Sequence, residues 1–383
     1  MASITSYTTG NGDKRYMIQV YQGLDPQTGK PKRVKRRGFR TKKEATLEAN
    51  RLELAIAQGD LQKENNILFK TVYEQWYQGY INTVRVSTYA RTAGMFDNHI
   101  LPAFGNKRIR TITIAQVQTA VNKWFKETTY NYKRWYNYTV AIFEYALAHG
   151  YMTGDNPAKK VTLPKQIESW GEKPENFWDK RTLTQFFSYI DPINDLEKFT
   201  LFRVLAFAGV RRGECLALEW DDINFSQSTM RINKTLTQGI RGKQIVQAPK
   251  TKAGRREITL DTKTLSYLKK WRMEQKRVYL MLGHNTLQPH QLIFANTKNG
   301  FKSLNTPAKW LNKIIRDHDL KPITVHGFRH TSASMLFIAG ASIKEVQTRL
   351  GHEDAQTTLN IYTHVTQEQD NEASEKLARY LDF

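Results

Sequence analysis

The chain has 383 residues, enough for two or three domains that each bury a core, and 58 Lys and Arg against 36 Asp and Glu leave a formal charge of +22. Such an excess points to a polyanionic partner, because Lys and Arg release condensed counterions from a phosphate backbone, while an aromatic content of 11% excludes a disordered basic tail. The single cysteine, Cys215, excludes an intramolecular disulfide, the N-terminus lacks a charged segment leading into an apolar run, and no stretch approaches the ~20 apolar residues that span a bilayer, so a soluble cytoplasmic protein without membrane contact is expected.

Taken in chain order, the pattern predicts a multidomain, mainly α protein. Residues 1–63 read as a small module of strands plus one helix. Tyr16, Ile18 and Val20 alternate with Met17 and Gln19 at the two-residue period of a strand, and Asp25-Pro26-Gln27-Thr28-Gly29 signals a turn. Lys30, Lys32, Arg33, Lys35, Arg36, Arg37 and Arg40 follow, a basic strand edge suited to phosphate contacts, with a merely solvated hairpin as the alternative. Thr41 with Glu44 matches a capping box, and Ala45, Ala49, Leu52 and Ile56 share one face of the helix that begins there.

Residues 64–163 read as all helix. Val72, Trp76 and Tyr80 step by four, Ser87 is placed to cap a helix from Thr88, and Pro102 and Gly105 interrupt the pattern. Val117, Val121, Trp124 and Phe125, then Tyr136, Val140, Phe143, Tyr145 and Leu147, mark two further helices. Weak periodicity with Pro164, Gly171 and Pro174 makes 164–176 a linker. Residues 177–383 read as mixed α/β but mostly helical, with strand candidates at 230–232, 245–246 and 256–260.

Four segments of this last domain carry chemistry. In Ala208-Gly209-Val210-Arg211-Arg212-Gly213-Glu214, flanking apolar residues predict two buried helices joined at Gly209, with the Glu214 carboxylate able to orient the Arg211 guanidinium. Pro249-Lys250-Thr251-Lys252, between two strand candidates, reads as a hairpin turn that presents a lysine, and both Lys250 and Lys252 are candidates. In His326-Gly327-Phe328-Arg329-His330, a buried arginine beside a histidine is costly unless an anion pairs with it, and a phosphate would satisfy both. Finally, Ser342 and Glu345 form a capping box, Val346 and Leu350 give a buried face, and Gly351 ends the helix so that His352 is presented at its terminus; Leu359 and Tyr362 then share a face of a short following helix.

These four segments together resemble the tyrosine recombinases, or phage-type integrases, and the whole chain fits that family's arm-binding, core-binding and catalytic layout. Its style is similar to integrases of temperate phages and of integrative conjugative elements of Gram-positive bacteria. The resemblance implies catalytic roles for Arg211, Lys250, His326, Arg329, His352 and Tyr362, with Glu214 as supporting carboxylate. It implies attack by Tyr362 to form a 3′-phosphotyrosine, release of a 5′-hydroxyl protonated by Lys250, and rejoining without ATP. It also implies double-stranded attachment-site DNA as partner, four protomers around two duplexes, an excision factor and a host DNA-bending protein as candidate partners, and action at the nucleoid. The C-terminal residues 373–383 have helical spacing and could dock on a neighbouring protomer or on their own domain.

The chemistry stands without a cofactor or metal. Two guanidiniums can clamp the equatorial oxygens of a pentavalent phosphorane, replacing the metal ion that many nucleases use. Nearby cations lower the tyrosine pKa of ~10, and His326 or His352 can manage its proton. A zinc site built from His326, His330, His352 and His364 is disfavoured, because Arg329 sits among them without a Cys or paired carboxylates. A non-catalytic DNA-binding regulator on the same scaffold, and a relaxing enzyme of the type IB topoisomerase kind, are the remaining rivals.

Overall fold

The structure is a computed structural model, and it describes residues 2–10, 12–24, 31–57, 67–165, 175–356 and 358–359. The chain folds as two compact units, one built on the elements up to residue 165 and the other on those after 175 together with residues 86–91.

In the first unit, β1 (Ser3–Thr8), β2 (Lys14–Leu24) and β3 (Pro31–Phe39) form an antiparallel sheet in that order. The two-residue period works as read: Ile18 and Val20 are fully buried against Ala45, Ala49 and Leu52 of α1 (Lys42–Ala57). Thr41 accepts from the Glu44 amide, and the Glu44 carboxylate reaches back one residue further than a simple box, to the Arg40 N–H. Because β3 is a sheet edge, its side chains on both faces are largely free of cover. Lys32, Arg33, Lys35, Arg36, Arg37 and Arg40 are all exposed, although Arg36 is paired with Glu48 of α1. Lys30 lies outside the described residues.

The helical part of this unit comprises α2 (Phe69–Tyr80), α3 (Val86–Met95), α4 (Leu101–Phe104), α5 (Ile114–Glu127) and α6 (Tyr132–Ala148) around a core rich in aromatic side chains. One expectation fails here. Helix α3 starts at Val86 with Arg85 as its N-cap, so Ser87 lies inside the first turn and caps nothing. The interruption expected around Pro102 and Gly105 is present, with α4 ending at Phe104 and Gly105 as its C-cap. A π turn over Phe96–Ile100 joins α3 to α4, which places the proline in a fresh first turn where its missing N–H leaves no intrahelical bond unmade.

The second unit contains α7 (Lys180–Ser188), α8 (Leu196–Ala208), the single turn α9 (Arg212–Cys215), the strands β4 (Ile223–Asn224), β5 (Thr229–Ile232), β6 (Thr235–Gln238), β7 (Gln244–Gln247) and β8 (Arg256–Thr259), then α10 (Thr262–Met281), α11 (Thr306–Asp317), α12 (Gly327–Ile338) and α13 (Ile343–Leu350). Its main core is a large apolar cluster, with two smaller ones around Phe337, Val346 and Leu350 and around Tyr279, Leu292 and Ala295. Within the main core Phe328 packs among Trp178, Phe186 and Phe202 with ring centroids 5.1–5.4 Å apart, which fixes the start of α12 against α7 and α8. The second helix expected after Gly209 is only the one turn α9, and Phe207 is exposed beneath a cation–π contact from Arg203.

The strand arrangement corrects the reading of the lysine segment. β7 pairs with β6 and β8 pairs with β5, not with each other. The register runs from Ile232↔Arg256 to Thr235↔Gln247, so residues 233–234 face the long excursion 248–255. Lys250 therefore sits in a large bulge on the flank of a hairpin whose tip is at 239–243, and not at its turn. The eight residues of this excursion cannot be paired by the two residues opposite, so they are extruded as a loop. Thr251 accepts the Gly254 amide and closes a 3₁₀ turn within it.

Candidate active site

Two helix C-termini meet beside this bulge, with Gly209 against Leu350 and Gly351 against Ala253. Helix α8 ends at Gly209 (φ 65°) and α13 ends at Gly351 (φ 67°), both in the left-handed conformation that glycine adopts without penalty. At α13 the Gly351 amide bonds the carbonyls of Gln347 and Thr348, and the His352 amide bonds Gln347, a Schellman closure that turns the chain sharply and presents His352. The space is tight. A Cβ on Gly351 would fall 2.5 Å from the Ala253 carbonyl oxygen of the bulge, and one on Gly209 would fall 2.4 Å from the Leu350 side chain.

The last carbonyls of these helices are partners for guanidiniums. Arg256 Nε donates to the Arg349 carbonyl at 2.8 Å, Arg329 Nη2 to Leu350 at 2.6 Å, and Arg211 Nη2 to Gly351 at 3.3 Å. Arg329 also donates to the Gly209 carbonyl at 2.8 Å. Cations at the negative end of a helix are favoured by its dipole, and successive carbonyls bring successive guanidiniums side by side. Arg211 and Arg329 are thereby juxtaposed, as the sequence reading requires.

Their environments differ. The Arg211 side chain is 41% exposed, and its guanidinium bonds the Glu214 carboxylate at 2.8 Å while its backbone N–H bonds the same carboxylate at 3.0 Å. Burial of Glu214 works to raise its pKa, but Arg256 and Arg211 outweigh it and hold the carboxyl below the usual range. Arg329 is 2% exposed, and among the described residues its hydrogen-bond partners are backbone carbonyls with no carboxylate. Burial, reinforced by Arg211, pushes its pKa down to about 9. Holding a buried cation without a directly bonded carboxylate costs free energy.

The histidines complete the cluster. His326 is the N-cap of α12, exposed at one side, with its ring edge-to-face to His330 at 4.8 Å between centroids. Partial burial, then the charges of Arg329 and Arg211, drive its pKa down to about 4. His352 is buried with its Nδ1 2.8 Å from the Thr358 hydroxyl, and burial together with Arg329 and Arg211 drives it to about 3. Both imidazoles are therefore neutral at pH 7. Among the described residues no three His, Cys, Asp or Glu groups are arranged to hold a metal ion.

Arg211, Glu214, Arg329, His326 and His352 come together, while Lys250 and Lys252 are exposed on the bulge that abuts Gly351. Tyr362, His364 and the 373–383 tail lie outside the described residues. The sequence reading missed Arg256, whose side chain is 6% exposed and which pairs with Glu214 at 3.0 Å. A signal was present: Arg256 is in phase with the inward-facing Ile258 of β8 and with the buried Leu260 just beyond it.

Comparison with known proteins bears on this arrangement. Residues 177–369, half of the chain, match the Phage integrase family; residues 68–125 match its N-terminal SAM-like domain and 5–56 an Arm DNA-binding domain. The chain is 27% identical over 367 residues to the ICEBs1 integrase of Bacillus subtilis, covering 95% of this chain and 96% of that one. It is 25% identical over 336 residues to the integrase of Staphylococcus phage L54a, covering 82% and 93%. The fold resembles the Tn1549 transposon integrase in complex with a circular intermediate DNA (TM-score 0.62, 18% identity, 82% of this chain and all of that one). It also resembles a lambda integrase tetramer bound to a Holliday junction (TM-score 0.56, 18% identity, 93% and 94%). The chain belongs to the phage integrase family, the tyrosine recombinases that cleave and rejoin DNA strands at specific sites.

Proposed function

We propose that this integrase opens DNA with Tyr362 at a phosphodiester clamped by Arg211 and Arg329, moving a mobile element or prophage into and out of a chromosome. The observation that carries this reading is the buried Arg329 guanidinium, bonded to helix-end carbonyls and flanked by the exposed Arg211. A non-bridging phosphate oxygen between the two would receive charged hydrogen bonds that strengthen as negative charge grows in the transition state. Attack by the phenolic oxygen forms the phosphorus–tyrosine bond and breaks the bond to the 5′ oxygen, which takes a proton from Lys250. Reversal by a 5′-hydroxyl of another strand rejoins the DNA with the bond energy retained. Neutral His326 and His352 accept a proton or donate an N–H hydrogen bond without adding repulsion to the paired arginines. Tyr362 follows Thr358, which His352 holds, by four residues, a reach of at most ~14 Å.

The division into an arm module at 1–63, a core-binding domain at 64–163 and a catalytic domain at 177–383 goes with this reading, and so does the assignment of Lys32, Arg33, Lys35, Arg37 and Arg40 to arm-site phosphates. The lambda integrase that forms a tetramer on a Holliday junction supports the same assembly here, four protomers on two duplexes. Tyr362→Phe tests the reading with a nicked duplex spanning the junction of element and host DNA. Wild type is expected to accumulate a denaturant-resistant protein–DNA adduct, and the variant to bind the duplex without forming one. An adduct formed by Tyr362→Phe would remove Tyr362 from its role.

A further inference from the structure

We propose that Arg256, at the start of β8, is a positioning residue that aims the Arg211 guanidinium through Glu214 and ties together the three segments that build the site. This rests on the reading of Arg211 as one arm of the phosphate clamp. Arg256 bonds three groups with three different nitrogens. Nη2 meets Glu214 Oε2 at 3.0 Å, Nε meets the Arg349 carbonyl at 2.8 Å, and Nη1 meets the Gly254 carbonyl at 3.2 Å. Each partner belongs to a separate functional segment. Glu214 orients Arg211, Arg349 lies in the last turn of the helix that presents His352, and Gly254 lies in the bulge that carries Lys250.

The hierarchy follows from burial. Arg211 is 41% exposed and stands where a phosphate can reach it, so cover from neighbouring side chains cannot hold its direction. Glu214 is 3% exposed and shared, with Oε1 taken by Arg211 and Oε2 by both the Arg211 amide and Arg256. The side chain of Arg256 is itself 6% exposed and locked on three sides. Orientation thus passes from the buried arginine to the buried carboxylate to the exposed guanidinium. A guanidinium spreads its donors over three nitrogens in a rigid plane, whereas a lysine ammonium carries all of its donors on one nitrogen and cannot span the same three acceptors.

The test measures single-turnover adduct formation by the full-length protein on the nicked junction duplex, with duplex affinity and chemical denaturation measured alongside. Arg256→Met is expected to lower the cleavage rate by about 10- to 100-fold, the scale on which an oriented group loses the partner that holds it. Arg256→Lys, which keeps the charge, is expected to lose nearly as much. Glu214→Gln should fall in the same range, and the double variant Arg256→Met/Glu214→Gln should be no slower than the slower single variant, because both act through one chain of contacts.

The pH profile separates aiming from general stability. The charged groups around Glu214 are Arg211 on its own turn, Arg256 from β8 and Arg329 from α12, and the titratable His326 of α12 and the buried Cys215 thiol adjoin it. Loss of Arg256 lets the carboxyl titrate at higher pH, so the acid limb of the cleavage rate should move upward in Arg256→Met and show no such movement in the double variant. The inference is overturned if Arg256→Met or a folded Arg256→Lys cleaves within about twofold of wild type, or if the losses multiply in the double variant. Failure of wild type to form any adduct would instead overturn the function on which the inference rests.

Discussion

Replacing Arg329 by Met separates what this residue does for folding from what it does for DNA. The substitution keeps most of the length and removes the charge, so no large cavity forms. On the stability side, two helix-end carbonyls, Gly209 and Leu350, lose a charged donor, at ~1–3 kcal/mol each. Against this, burial and the neighbouring Arg211 push the guanidinium down to about 9, so holding the cation there carries a penalty on the order of a few kcal/mol. The two sides nearly cancel, so Arg329→Met should unfold in urea within ~2 kcal/mol of wild type. Cleavage should behave otherwise. Loss of one donor to the developing phosphorane charge is worth ~2.7–4 kcal/mol, or about 10²–10³ in rate. Urea denaturation and single-turnover adduct formation on the nicked junction duplex measure the two quantities separately. A variant that cleaves within tenfold of wild type would refute the clamp. One that is destabilised by far more than 2 kcal/mol would show that Arg329 is structural and not an anion receptor kept at a cost to the fold.

Gly351→Ala forces a Cβ into the left-handed region and to within 2.5 Å of the Ala253 carbonyl, so it should destabilise by ~2–4 kcal/mol and displace the lysine bulge, read out as a lowered urea midpoint with reduced cleavage in the folded fraction. His352 titrates near 3 when folded and near 6.5 when unfolded, so the unfolded chain binds more protons between these values and its share of stability is lost as pH falls from about 6.5. His352→Asn should therefore lose less stability than wild type between pH 6.5 and 5, measured as the change in urea midpoint. Replacing Lys32, Arg33, Lys35 and Arg37 together by Gln removes four exposed cations from an edge strand, and should flatten the salt dependence of arm-site binding by up to ~3.6 in the log–log slope; an unchanged slope would refute the contact assignment.

Much of this protein is written locally. Ile18 and Val20 opposite Ala45 and Ala49, the Ser342–Glu345 box and the Gly351 stop all follow from side-chain period, hydrogen-bonding reach and φ preference, which operate within a few residues. For the same reason the residue types of the site, arginines with a near carboxylate and histidines at helix ends, could be picked out and matched to a family before any coordinates. The failures were not local. A helix boundary at Val86 depends on which competing turn the rest of the bundle stabilises, and the strand partners of β7 and β8 depend on a surplus of residues that no short window reveals.

What only the tertiary structure decided is the wiring. Arg329 bonds a carbonyl 120 residues away, Arg211 one 140 away and Arg256 one 93 away. Such bonds carry no periodic trace, because backbone carbonyls are the same at every residue and only packing determines which of them a guanidinium meets. The sequence by itself determined that cations, a carboxylate and imidazoles would be present in helical and strand settings. Folding brought two helix ends to one point, and there it separated a buried arginine without a carboxylate partner from an exposed one that Glu214 aims.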